Sequence, residues 1–148
     1  MIKSLAIIFV FILFGGCAKP DIKSKSALVT FVTKDIKVHD TAFVYVDKNS
    51  VDIEVYSAGN LIFELSSNAM VCINSLCLSD DEFSAKYLNE YYPKRVIQKI
   101  VSKKQLDIKD IKTTQLEDGF MQSAYEENRY DIKYIVKKDE VFFKDSIN

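Results

Sequence analysis

Few residues of this 148-residue chain have the types and spacing that chemistry needs. His39 is the only histidine, and Asp40 follows it. A histidine beside a carboxylate is a minimal general base, but His39 lies in the polar stretch Lys37-Val38-His39-Asp40 and reads as a solvated loop residue. The neighbouring carboxylates Asp80-Asp81 and Glu126-Glu127 offer the hard oxygen ligands that calcium prefers. Their surroundings read instead as a helix start and a turn. No nucleophile elbow, phosphate loop or metal-binding histidine pair occurs. Beyond residue 16 only Gly59 and Gly119 remain, too few for a glycine-rich cofactor cradle. The sequence predicts no catalytic residue, no metal site, no cofactor and no enzyme. It leaves three cysteines to explain: Cys17, Cys72 and Cys77.

Cys17 closes the stretch Leu13-Phe14-Gly15-Gly16-Cys17. Lys3 is the only charge before it, and the residues from Leu5 to Phe14 are apolar throughout. A positive end, an apolar run of about ten residues and small residues at the cut site predict a secretory signal peptide over residues 1–16. A helical bilayer span needs about 20 residues, more than this run supplies. Small residues followed at once by Cys resemble the lipobox of bacterial lipoproteins. The resemblance implies that Cys17 carries a diacylglycerol on its thiol, that the signal is cut before it, and that the new amino group takes a further chain such as palmitate. One acyl chain anchors only marginally, at about 0.8 kcal/mol per buried methylene, and three make the attachment effectively permanent. Ala18 follows Cys17 where an Asp would resemble an inner-membrane retention signal. The expectation is an outer-membrane anchor with the domain facing the periplasm.

In an oxidising periplasm disulfides persist. Cys72 and Cys77 flank Ile73-Asn74-Ser75-Leu76. A two-residue turn at Asn74-Ser75 would set Cys72 opposite Cys77 in a non-hydrogen-bonded pair, with Cα atoms about 4.5 Å apart. A disulfide accepts that separation. A shared metal is a poor alternative, because the chain has one histidine and no second cysteine pair.

The elements that position these residues follow from pattern. Removing residues 1–16 from the 148 leaves 132, enough for one domain. Only Lys3 is lost among the charges, so the 20 basic and 21 acidic residues become 19 and 21, a net charge of −2. That balance gives no global positive field for nucleic acid or anionic lipid. Eight Tyr and ten Phe can build a real core. Residues 17–26 read as the lipidated cysteine and a polar tether, and 27–148 as a single domain.

Strand patterns run over Leu28–Val32, Ala42–Val46, Val51–Val55, Leu61–Leu65 and Ala69–Ile73 into the cysteine hairpin, a meander of five or six antiparallel strands. Ser79 is then a helix N-cap ahead of Asp80, Asp81 and Glu82. Phe83, Tyr87, Leu88 and Tyr91 fall at helical spacing. Pro93 starts a second helix reaching Lys103, with the stripe Val96, Ile97, Ile100 and Val101. Residues 105–118 fit neither period and predict an irregular connection with a short strand. Strands return over Gly119–Tyr125, Tyr130–Val136 and Val141–Phe143. The predicted class is α+β: a curved antiparallel sheet, an incomplete barrel, with two central helices packed on one face. Phe83, Tyr87, Tyr91, Val96, Ile97 and Ile100 are then candidates to line an apolar cavity under the helices, or else ordinary core.

This order of elements resembles the LolA/LolB-type lipoprotein carriers. The resemblance rests on Val51–Ser66, on Leu88–Ile100 with its Tyr91-Tyr92-Pro93, and on Asn128–Asp145 with Ile132-Lys133-Tyr134 and Val141-Phe142-Phe143. It implies an incomplete barrel that holds acyl chains in lipoprotein or lipid transfer, a non-catalytic task. The expected partners are the membrane, through acylated Cys17, and acyl chains or other lipoproteins, with no nucleic acid. The second expectation is a structural or assembly lipoprotein that binds an envelope protein. A sealed core favours this second role, and an open apolar pouch favours the carrier.

Overall fold

The computed structural model describes residues 23–147. The predicted signal peptide of residues 1–16, Cys17 and the first part of the predicted tether lie outside the described residues. The strands are β1 (Lys23–Val32), β2 (Lys37–Val46), β3 (Val51–Ser57), β4 (Asn60–Ser67), β5 (Val71–Ile73), β6 (Leu76–Leu78), β7 (Lys112–Leu116), β8 (Gly119–Glu126), β9 (Tyr130–Lys137) and β10 (Glu140–Asp145). Two helices, α1 (Asp80–Tyr87) and α2 (Val96–Val101), separate β6 from β7.

All ten strands form one sheet in the order β6-β5-β4-β3-β2-β1-β10-β9-β8-β7. It is two meanders joined side by side. Each meander is antiparallel, because short turns return the chain beside itself. The joint is β1 against β10, and these run parallel. The sheet is therefore mixed and not antiparallel throughout. Alternation in a sequence shows which side chains turn inward; it does not show which distant strand becomes the neighbour. Phe31 stands opposite Phe143 across this joint, with ring centroids 5.3 Å apart.

One face of the sheet is apolar along nearly every strand. Val51, Ile53 and Val55 are buried, while Asp52 and Glu54 between them are not. Tyr130, Ile132, Tyr134 and Val136 repeat the pattern in β9. Fully burying each such side chain contributes roughly 1.5–3 kcal/mol.

The chain is not α+β. Of the described residues 54% lie in strands and 11% in helices. Two central helices on one face are not found either. α1 touches β6 and α2, at the edge of the sheet. Only α2 lies inside, where it meets β3 and β4 of one meander and β10 of the other. Local side-chain chemistry shortens both helices. α1 begins as the sequence predicts, with Ser79 and Glu82 forming a reciprocal capping box. It stops at Tyr87, and the Asn89 side chain then accepts from the Tyr91 backbone N–H at 2.9 Å, a turn that competes with helix. Tyr91 is left 47% exposed. α2 starts at Val96 and not at Pro93, because Arg95 adopts a left-handed conformation with φ 63°. Lys103, at φ 57°, lies just beyond its other end.

Two smaller differences concern polar stretches. Lys23–Ser26, read as tether, pairs with Val46–Phe43 as the start of β1. His39, read as a loop residue, lies in β2 opposite Thr30. The irregular connection before β7 is held by Gln122, a buried residue of β8. Its Oε1 accepts from Leu106 N–H at 2.7 Å, and its Nε2 donates to the Leu106 carbonyl and to Thr113.

Candidate functional site

The cysteine hairpin forms at the β6 edge. Asn74 and Ser75 have φ 44° and 72°, the positive pair that a two-residue hairpin turn requires. Cys72 pairs with Cys77, Ile73 with Leu76, and the two thiols form a disulfide with Cα atoms 4.0 Å apart. Asn74 also fastens the turn to β4: its side chain accepts from Glu64 N–H at 2.9 Å.

Of the six candidates for an acyl cavity, four are closed into the core, one is half-buried and one is exposed. Phe83, Val96, Ile97 and Ile100 are at most 1% exposed and belong to the core. Tyr87 is half-buried with its ring 4.7 Å from that of Phe83. Tyr91 lies outside, with the Arg129 guanidinium 4.7 Å from its ring centroid. The α2 stripe is filled because the two meanders close on it: the Tyr134 hydroxyl donates to the Ile100 carbonyl, and Gln98 donates to the Asn68 carbonyl.

The other candidates are also absorbed by structure. His39 Nδ1 lies 2.7 Å from Thr30 Oγ1, and Asp40 accepts from its neighbour Thr41 N–H, so the two do not act on each other. Glu82 accepts from Ser79, first at its backbone N–H, and this holds its carboxyl below the usual range. Burial pushes the Asp80 carboxyl up. Glu126 pairs with Arg129 and accepts from the Tyr130 hydroxyl. Among the described residues no group of three or more His, Cys, Asp or Glu is placed to hold a metal ion.

What the structure does assemble is a cleft of about 1040 Å³ at one end of the sheet. Its walls come from β1, the β2–β3, β4–β5 and β9–β10 turns, and α2 with the turn after it. Seven basic residues line it: Lys25, Lys48, Arg95, Lys99, Lys103, Lys104 and Lys138. Only two acids join them, Asp47 and Asp139. None of the seven is in an ion pair among the described residues. The Lys103 ammonium donates to the Lys137 carbonyl at 3.2 Å and the Lys138 carbonyl at 2.7 Å, which ties the end of α2 to the β9–β10 turn. Burial holds the Lys103 pKa below the usual lysine value; Asp139 opposes this and the like charge of Lys25 adds to it. Ser67, 1% exposed, also lines the cleft, and its hydroxyl has no hydrogen-bond partner. Such an unmet buried hydroxyl is uncommon and calls for a partner.

Compared with protein-family models, curated proteins and solved structures, the chain matches none. The cleft combines seven cations with a substantial apolar lining that includes Ala27, Val44, Val51 and Val101. A lining of this charge would attract an anion. Counting charge in the sequence misses it, because the seven cations are spread from residue 25 to residue 138 and meet only when the turns gather.

Proposed function

We propose that this chain is a non-catalytic envelope lipoprotein, held through acylated Cys17 on the periplasmic face of the outer membrane, that binds a partner protein on the outside of its sheet. The observation that carries this reading over acyl-chain carriage is the closed α2 stripe. A carrier needs an apolar volume that a chain can enter. Val96, Ile97 and Ile100 instead lie against the sheet at 0–1% exposure, and the large cleft lies elsewhere, with seven basic residues among its lining.

The outer face of the sheet supplies a contact surface. Phe43, Tyr56 and Leu61 are each 40–46% exposed, and the Phe43 and Tyr56 rings lie 6.0 Å apart. Tyr56 and Leu61 are cross-strand partners. Exposed aromatics grouped in this way are enriched in protein interfaces.

A photo-crosslinking residue at Phe43 tests the reading in cells that make the full chain. The expected result is one discrete adduct with an envelope protein, weakened by Tyr56→Ser. Absence of any protein adduct from Phe43, with the chain folded and present in the membrane fraction, would overturn it.

A further inference from the structure

We propose that the basic cleft binds the phosphate-bearing headgroups of anionic lipids in the membrane to which Cys17 ties the chain. This inference rests on the lipid anchor read from Leu13–Cys17 and adds a second, non-covalent contact to it.

The first ground is charge. The cleft carries seven basic and two acidic residues, a local balance of +5. Residues 17–148 carry −2, so the residues of that segment outside the cleft carry −7. The basic cleft is therefore set in a domain that is otherwise net acidic. Near an anionic surface the cleft is attracted and the remainder repelled, which orients the domain cleft-first.

The second ground is the hydroxyl of Ser67. It is a buried donor without an acceptor on a residue that lines the cationic cleft. A phosphate oxygen is an acceptor that lysines and a hydroxyl can share. Lys103 is occupied with backbone carbonyls, which leaves Lys25, Lys48, Lys99, Lys104, Lys138 and Arg95 to meet the anion.

The third ground is reach. Lys25 lies eight residues after Cys17. Eight extended residues span at most about 28 Å. Screening confines the attraction to roughly 8 Å at physiological ionic strength. The tether thus limits Lys25, in the wall of the cleft, to about 28 Å from the anchor, and leaves it free to come within the screening range.

The test uses the full acylated protein in vesicles of phosphatidylcholine alone, or with phosphatidylglycerol added. Lysines are labelled with an acetylating reagent and read by mass spectrometry. Lys25, Lys48, Lys104 and Lys138 should react severalfold more slowly in the anionic vesicles, while Lys86 and Lys112 react equally in both. High salt should remove the protection. Lys99→Glu with Lys104→Glu should abolish protection of Lys25 and Lys138. Equal labelling of the cleft lysines in both vesicles would overturn the inference. Inorganic phosphate added to neutral vesicles is the control for source: equal protection by it would assign the cleft to a free anion and overturn the membrane assignment. Flotation with neutral vesicles reports the anchor separately. A chain that floats without cleft protection loses only this inference; a chain that does not float loses the anchor and this inference together.

Discussion

The Tyr92 hydroxyl donates to the Asp145 carboxylate at 2.6 Å and fastens the segment between the two helices to the last strand. Both residues are buried. The same carboxylate accepts from Asp131 N–H at 3.2 Å and from Ile147 N–H at 3.1 Å. One acid thus holds β9, β10 and the approach to α2 in register. Tyr92→Phe removes a single oxygen and leaves the ring packing against Phe143 and Tyr130. A hydrogen bond to a charged group contributes about 1.5–3 kcal/mol. Urea unfolding of the variant should show a loss in that range with an unchanged slope.

Alkaline pH should weaken the fold through the same residue. Burial, and then the Asp145 hydrogen bond, raise the Tyr92 pKa far above the usual tyrosine value. Burial alone also raises that of Tyr134. A raised folded pKa means that the native state holds the proton more tightly than the unfolded chain. The stability is therefore complete below about pH 10, the ordinary tyrosine value, and falls progressively above it. Urea midpoints measured from pH 8 to pH 11.5 should be level and then drop, and Tyr92→Phe should flatten the drop.

Removing the disulfide should cost little and act locally. The ring closes six residues, Cys72 to Cys77, so the loss should be on the order of 2 kcal/mol. Thiol alkylation of denatured, unreduced protein from the periplasm should modify neither cysteine. Two reactive thiols there would contradict the pairing.

Gln122 predicts a larger and less expected effect. It is 1% exposed and satisfies both backbone groups of buried Leu106. Gln122→Leu keeps the bulk and orphans both groups, each at about 1–3 kcal/mol. Hydrogen exchange of the connection before β7 should accelerate in the variant.

Much of the strand pattern is legible in the sequence. Val51, Ile53 and Val55 alternate with charge and are buried as the period requires, and the cysteine register follows from Asn74-Ser75. The class is not legible, for two physical reasons. The i, i+4, i+8 spacing of Phe83, Tyr87 and Tyr91 continues past the point where Asn89 turns the chain, and the left-handed Arg95 delays α2. Periodicity extends a helix that local hydrogen bonds end. The parallel joint of β1 and β10 is equally hidden, since it depends on where the last strand returns. The cleft is the deepest omission. A net charge of −2 over residues 17–148 suggests an evenly mixed surface, yet the turns sort the cations to one end.

Ile97 separates a sealed core from a cavity wall. At 1% exposure, Ile97→Ala should cost about 2–5 kcal/mol, the range for truncation in a packed core. A loss well below 2 kcal/mol would indicate a site already open on one side.

The most direct measurement asks where acyl chains touch the native protein. Cells that make the full chain are fed a fatty acid carrying a photoactivatable group along its chain. After illumination the protein is digested and the modified residues are found by mass spectrometry. A sealed, membrane-anchored binding domain predicts modification near Cys17 and at the rim of the cleft, with none on Phe83, Val96, Ile97 or Ile100. Acyl adducts on Ile97 and Ile100 would show that chains enter beneath α2, and would contradict the account.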